Sequence, residues 1–283
     1  MHRATNHPGT AFAGSAAARV PSVSGLPSAG YRPPRGVVEV WLLRTSPEQV
    51  AAAEQLCGLL DPQELERIGR CGDEEGQALL LASHVALRLL LGAYLGQAPG
   101  EVAVEHANCR GCGHRHGRPV VAAKPGLHFS LSHTSGLAVC AFAADPVGAD
   151  VETLASVPGT ELVPLLHPEE QRAIRSLPPD QRARAFLHCF VRKEAYLKGT
   201  GDGLWAELDS FSVGLGPAFE PFGGGPTGLP GPEYWEFGSI ATPDTHGGAV
   251  ALLMPGAEGF GPQVTSRPVD LPRWSAALRA DQR

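Results

Sequence analysis

The chain shows no apolar h-region of a secretory signal, and its six cysteines form no framework of the kind that staples small secreted domains. Both absences predict a cytoplasmic protein with reduced thiols. An uninterrupted membrane-length apolar run is also missing. The longest candidate, residues 78–95, carries His84 and Arg88 near its middle. An arginine at mid-bilayer costs roughly 2.5 to 3.5 kcal/mol on insertion scales, so this stretch is expected as a buried helix, with no membrane partner. Positive charge is in short supply, with 23 Lys+Arg against 29 Asp+Glu and a net charge of -6. That argues against nucleic acid as a partner and leaves room for a local basic pocket for a small anion. Residues 1–36 have no acid at all, while holding Arg3, Arg19, Arg32 and Arg35. This resembles a transit peptide in composition but lacks its amphipathic stripe, so a disordered tail or a misplaced start codon is expected.

What is present suffices for a full core: 283 residues, 43% of them hydrophobic. Residues 37–43 read as a strand. A helix over 47–60 follows, capped by Ser46 with Pro47 in its first turn. Asp61-Pro62 opens a short helix bearing Arg67 and Arg70, and a long apolar helix covers about 75–95. Short strands are expected around Val102 and over 119–122, 127–133, 137–142 and 147–152. The order then recurs in outline, with helices over 161–166, 168–176 and 179–198 and strands over 209–215, 235–239 and 248–253. Helices followed by antiparallel strands, twice, predict an α+β protein of two pseudo-symmetric halves. Their expected bounds are 37–150 and 151–256, between a tail at 1–36 and a second tail at 257–283. No residue-level repeat supports the duplication. A site between the halves would form a natural cleft.

Four stretches can carry chemistry. In a helix, Phe186, Phe190, Glu194 and Lys198 stack in one row, apolar at one end and charged at the other. A surface ion pair is the bland reading of Glu194 and Lys198, but two Phe at the start bring the charged end to the edge of the core. In Gly148-Ala149-Asp150-Val151-Glu152, strand alternation places Asp150 and Glu152 on one face, about 7 Å apart, opposite Val151. Three carboxylates, with Glu194, make an all-oxygen set that suits Mg²⁺ rather than Zn²⁺. The bland alternative is a solvated edge strand. In Phe129-Ser130-Leu131-Ser132-His133-Thr134, His133 beside hydroxyls can bind a phosphate; no G-x-S-x-G elbow marks a nucleophilic serine. Gly117-Arg118-Pro119 offers a cation in a stiff turn, and Arg67 and Arg70 offer two more.

Cys109-Arg110-Gly111-Cys112-Gly113-His114-Arg115-His116 holds four candidate zinc ligands within eight residues. That is tighter than ordinary zinc spacing and has no second C-x-x-C, so a loop leading into the Gly117 turn is the expectation.

In this order and spacing, the stretches at 117–119, 129–134, 148–152 and 190–203 resemble the 4'-phosphopantetheinyl transferases of the large, surfactin-synthetase-activating type. The resemblance covers about residues 60–213. It implies transfer of the phosphopantetheine arm of coenzyme A to a serine of an apo acyl, polyketide or peptidyl carrier protein, releasing adenosine 3',5'-bisphosphate. It implies Mg²⁺, or Mn²⁺, on Asp150, Glu152 and Glu194, and Lys198 as α-phosphate contact and acid for the leaving group. His133 and Arg67, with Arg70 on the same helix face, would hold the 3'-phosphate, and Arg118 and Ser132 would line the nucleotide site. Glu170 matches a further acidic residue that assists the metal or the serine, so the base would be Glu194, or Glu170 through water. Arg118 replaces the usual Lys, Ser130 an Asn, Thr134 a Ser and Phe190 a Trp, and Glu64 falls where some relatives place a second cation. A monomer is expected, because both halves of the site lie in one chain. The competing readings are a metal-dependent phosphodiesterase, disfavoured by the acidic body, and a coenzyme A-binding or carrier-docking protein, disfavoured by the intact Asp150, Glu152, Glu194 and Lys198.

Overall fold

A computed structural model describes residues 23–108, 113–114, 117–121, 126–156, 159–202, 207–219, 226–229, 234–254 and 261–280. Its layers follow from strands that are apolar on both sides and therefore need cover on both. β1 (Val37–Arg44), β4 (His128–Thr134), β5 (Leu137–Ala143) and β9 (Gln263–Pro268) form one sheet in the order β4-β5-β1-β9, antiparallel except between β1 and β9. β6 (Val147–Thr153), β7 (Trp235–Ser239) and β8 (His246–Leu253) form a second sheet, β6-β8-β7, antiparallel throughout. Val38, Val40, Val139 and Ala141 of the first sheet pack against Val147, Ala149, Val151, Val250 and Leu252 of the second. The alternate residues Trp41, Leu43, Ala138, Cys140 and Phe142 point the other way, into a cluster with the long helix α3 (Glu74–Leu95). On the far side of the second sheet, Ala249 and Ala251 meet the long helix α5 (Pro179–Thr200). A short ribbon of β2 (Val104–His106) and β3 (Pro119–Val121) completes the strands among the described residues.

The helix ends are written in the local sequence. α1 (Pro47–Gln55) begins at Ser46, whose side chain accepts from the Gln49 N–H, and α2 (Pro62–Gly69) begins at a reciprocal Asp61–Glu64 capping box. α3 and α5 end at Gly96 and Gly201, both left-handed, with φ of 65° and 80°. α4 (Pro168–Ser176) and β7 fall on their expected bounds. By length and composition α3 could cross a membrane, but its residues from Ala82 to Leu95 are buried in the core beside the first sheet.

Four expectations need correcting. The segment 209–215 forms no strand beyond an isolated bridge between Ser212 and Thr227. Side chains take the place of a partner strand there: Lys193 donates to the Phe211 carbonyl, Arg192 to the Val213 carbonyl, and the Val213 N–H donates to Glu170. The 161–166 helix is a 3-10 helix, Gly159–Leu165, with Pro164 inside it. Residues from 257 onward are not all tail, since β9 pairs with β1 and α6 (Leu271–Ala280) packs Trp274 edge-on against Trp41, ring centroids 5.9 Å apart. Nor does a tail extend to residue 36: Val23 is buried, Gly30 N–H donates to the Ala93 carbonyl, and Tyr31 donates to Glu39.

Candidate active site

Helix α5 rests its backbone directly on β6. A β-carbon at Gly148 would lie 1.9 Å from the Ala195 carbonyl oxygen, and one at Gly199 would lie 2.6 Å from the Trp235 ring. Glycine at both positions lets helix and strand approach this closely. The group that approaches Gly148 closely is the backbone of the helix itself. Gly199 lies inside α5, with Gly201 ending it; Gly203 lies outside the described residues. The expected row on α5 is present: the Phe186 and Phe190 rings stack 5.9 Å apart, and Glu194 and Lys198 follow, both half-buried.

Asp150 is 2% exposed. Its Oδ1 accepts from Lys198 Nζ at 2.6 Å and from the Ser132 hydroxyl at 2.8 Å, while Oδ2 is buried with no hydrogen-bond partner. Lys198 also donates to Ser132 Oγ at 2.9 Å. Glu152 Oε2 accepts from Thr134 Oγ1 at 3.0 Å and from Ser156 Oγ at 2.9 Å. Burial raises the pKa of Glu194, and the charges of Asp150 and Glu152 raise it further against the opposing pull of Lys198. Asp150, Glu152, Glu194, Lys198 and Ser132 are thus neighbours from three elements.

His133 lies on the opposite side of β4 from Ser132. Partial desolvation lowers its pKa first, and the charges of Lys198 and His84 lower it further. His84, on α3, places its Nδ1 3.1 Å from Glu64 Oε1, and Arg88 reaches both Glu64 and Asp61 at 2.7 Å. Burial works to raise the Glu64 pKa, but hydrogen bonds from His84, Arg88 and the Asp61 N–H outweigh it and hold the pKa at about 2. Glu64 therefore stays ionised, with its charge matched from within the fold. Arg67 is exposed in the last turn of α2, and Arg70 pairs with Glu66 at 2.6 Å. The stem of Arg118 lies along the end of α5: a β-carbon on Gly201 would sit 3.6 Å from Arg118 Cγ. Its charge adds to burial in lowering the pKa of His128.

Glu170 stands apart from this group, contrary to expectation. It is sealed beneath α5, its side chain 1% exposed, with Oε2 2.9 Å from Lys193 Nζ and Oε1 accepting from the Val213 N–H at 2.7 Å. Lys193 is itself fully buried and lies over the Phe211 ring at 4.2 Å. A carboxylate held this way has no path to a substrate hydroxyl. Sequence reasoning gave no role to Lys193, although it adjoins Glu194. His84 and Thr134 were likewise missed as contributors; the signal available was a histidine interrupting an apolar helix, and a hydroxyl alternating with Ser130 and Ser132. Cys109, Cys112 and His116 lie outside the described residues, and His114 is exposed.

The chemistry of the donor set fits a hard divalent cation. A buried carboxylate oxygen lacks a partner, and a nearby glutamate has its pKa raised by burial and then by two other carboxylates, a cost that a cation would relieve. Among the described residues no three metal-ligating side chains converge closely enough to enclose an ion; Lys198 occupies one oxygen of Asp150 instead.

Residues 146–249, which contain both carboxylates of β6 together with Glu194 and Lys198, match the 4'-phosphopantetheinyl transferase superfamily. The 4'-phosphopantetheinyl transferase HetI of Nostoc sp. is 35% identical over 188 residues, covering 63% of this chain and 75% of that relative. The transferase Sfp of Bacillus subtilis strain 168 is 25% identical over 162 residues, covering 57% of this chain and 69% of Sfp. A further Bacillus subtilis 4'-phosphopantetheinyl transferase is 37% identical over 102 residues, covering 35% of this chain and 45% of that protein. Similarity of this extent, running through the residues that meet at β6 and α5, places the chain in the 4'-phosphopantetheinyl transferase family, as an enzyme of the Sfp-like type.

Proposed function

We propose that this chain transfers the 4'-phosphopantetheine arm of coenzyme A to a serine of an apo carrier protein, releasing adenosine 3',5'-bisphosphate. The observation that carries the reading is the unpartnered buried oxygen of Asp150 beside Lys198, Ser132 and a glutamate of raised pKa. Asp150, Glu152 and Glu194 would hold Mg²⁺ or Mn²⁺, which when bound supplies charge stabilisation at the pyrophosphate. The serine oxygen forms a bond to the phosphorus bearing the pantetheine, and the bond from that phosphorus to the bridging oxygen breaks. Glu194 is the base for the serine proton, since it lies in the site and Glu170 is sealed away out of reach. Lys198, with its side chain 34% exposed, gives a proton or a hydrogen bond to the departing phosphate. His133 and Arg118, with Arg67 and Arg70 nearer the solvent, would bind the nucleotide phosphates.

Two features support a pair of pseudo-symmetric halves with the site between them. The sheets share the strand pattern β4-β5-β1 and β6-β8-β7 read in reverse, and α3 and α5 are each 22 residues long and end in a left-handed glycine. On this reading the halves divide between β5 and β6, and β9 with α6 belongs to the first. A cytoplasmic monomer is the expected form; a gel-filtration dimer with composite sites would contradict it.

The test incubates the full chain with coenzyme A, Mg²⁺ and a panel of apo carrier proteins, then weighs each carrier intact. A gain of one phosphopantetheine on serine, lost with EDTA or with Asp150→Ala, is expected. Coenzyme A binding with no gain on any carrier would sink the transfer reading in favour of a binding protein.

A further inference from the structure

Ser130, Ser132 and Thr134 alternate along β4, and all three hydroxyls reach β6. Ser130 Oγ accepts the Ala149 N–H at 3.0 Å, Ser132 Oγ lies 3.4 Å from the Val151 nitrogen and donates to Asp150, and Thr134 donates to Glu152. β4 and β6 are edge strands of different sheets, so the hydroxyls do what no backbone ladder between them does. Ser130 and Ser132 accept from backbone N–H groups, while Ser132 and Thr134 each give a hydrogen to a side-chain carboxylate, Thr134 in a setting where it is only 8% exposed.

The second donor to that carboxylate comes from the turn after β6. Ser156 Oγ is 2.9 Å from Glu152 Oε2 and equally 2.9 Å from the Thr153 carbonyl, so its single proton is shared between them. Both donors converge on Oε2. Among the described residues no hydrogen bond is made to the other oxygen of Glu152, on the strand face that Asp150 shares.

We propose that Thr134 is a positioning residue: its hydroxyl fixes one oxygen of Glu152 and thereby orients the other toward the divalent cation. This rests on Glu152 being a metal ligand, as argued above. Partners of ligating carboxylates typically change metal affinity or activity about 10- to 100-fold when removed. Threonine adds a stiff χ1 to the hydroxyl, which holds the donor in one direction.

The experiment uses the full-length protein with coenzyme A present and reads free Mn²⁺ by electron paramagnetic resonance, a measurement independent of turnover. Thr134→Val, which keeps shape and removes the hydroxyl, is expected to weaken Mn²⁺ binding about tenfold. Thr134→Ser restores it to within about twofold. In parallel, the Mg²⁺ concentration for half-maximal transfer should rise in Thr134→Val far more than kcat at saturating Mg²⁺ falls. If Thr134→Val does not fold, Thr134→Ala removes the same hydroxyl and should weaken Mn²⁺ binding about tenfold; unchanged affinity there overturns the proposal. Wild-type affinity in a folded Thr134→Val, alongside lost binding in Glu152→Gln, overturns the positioning role and leaves the metal reading standing. Wild-type Mn²⁺ binding in Glu152→Gln itself removes the metal reading, and the proposal with it.

Discussion

Lys198 Nζ and the Ser132 hydroxyl converge on the same oxygen of Asp150, at 2.6 and 2.8 Å, and the other oxygen faces buried space without a partner. Lysine therefore neutralises Asp150 on one side only. A cation and a phosphate arriving together would exchange this pairing for two new ones, metal to carboxylate and ammonium to phosphate. Asp150→Asn should lower transfer about 10²- to 10³-fold, and Lys198→Met about 10²- to 10⁴-fold. Because the two act on one site, the double variant should lose much less than the product. Steady-state kcat/KM for the four proteins decides; fully multiplicative losses would mean that they act separately.

Glu170 and Lys193 should matter for folding rather than for turnover. Removing one partner of a buried pair leaves an uncompensated charge and costs about 3 to 5 kcal/mol, so Glu170→Gln and Lys193→Met should each shift urea unfolding strongly. Replacing both by apolar residues should recover much of that loss. A Glu170→Gln enzyme of wild-type stability and greatly reduced kcat would return Glu170 to the active site.

The pH dependence of the metal-free protein follows from Glu194. Its folded pKa is raised above the unfolded value by burial and by Asp150 and Glu152, so the folded state holds the proton more tightly. Stability then falls as pH climbs from the ordinary carboxylate range through the raised value, and stays lower above it. In EDTA, Glu194→Gln should therefore be more stable than the parent at neutral pH, with the advantage vanishing in acid. Saturating Mg²⁺ should reverse the order, because only the parent gains from binding it. Thermal unfolding across pH, with and without metal, tests both signs.

Coenzyme A should bring a proton with it. Partial desolvation and the charges of Lys198 and His84 keep the His133 pKa low in the free protein, and a phosphate beside the ring would raise it. Proton uptake on binding near neutral pH is expected from calorimetry in buffers of different ionisation enthalpy, and should disappear in His133→Gln. Equal heats in all buffers would take His133 out of the phosphate site.

Gly148→Ala tests the approach of α5 to β6. Its β-carbon would sit 1.9 Å from a backbone oxygen that has no flexible end to swing away. Overpacking usually costs 1 to 3 kcal/mol, and here about 3 kcal/mol or more is expected, measured by denaturant unfolding. A neutral result would mean that helix and strand can separate without cost.

The residues that meet at β6 and α5 were legible because their spacing is local: alternation pairs Asp150 with Glu152, and steps of four align Glu194 with Lys198. Glu170 was misread because its partner lies 23 positions away on another helix, and nothing near Pro168 announces that Lys193 will be buried against it. Segment 209–215 alternates like a strand, yet its backbone bonds to side chains of α4 and α5, which no periodicity reveals. β9 escaped notice for the opposite reason: as an edge strand it buries little and reads as polar loop, Gln263-Val264-Thr265-Ser266-Arg267-Pro268. The carboxylate–hydroxyl contacts of β4 and β6 join edge strands of two sheets, so only the packed chain brings them together.

The chain has only three lysines, Lys124, Lys193 and Lys198, and meets its other needs for fixed positive charge with arginine. Lys193 is fully buried and Lys198 is 34% exposed at its side chain. Among the described residues, amine-directed chemistry on the folded protein is thereby narrowed to Lys198. A labelling reagent becomes a reporter of the proposed phosphate site: modification at Lys198, mapped by peptide mass, should be shielded by bound coenzyme A. Occupancy of the site could then be followed before any carrier substrate is known.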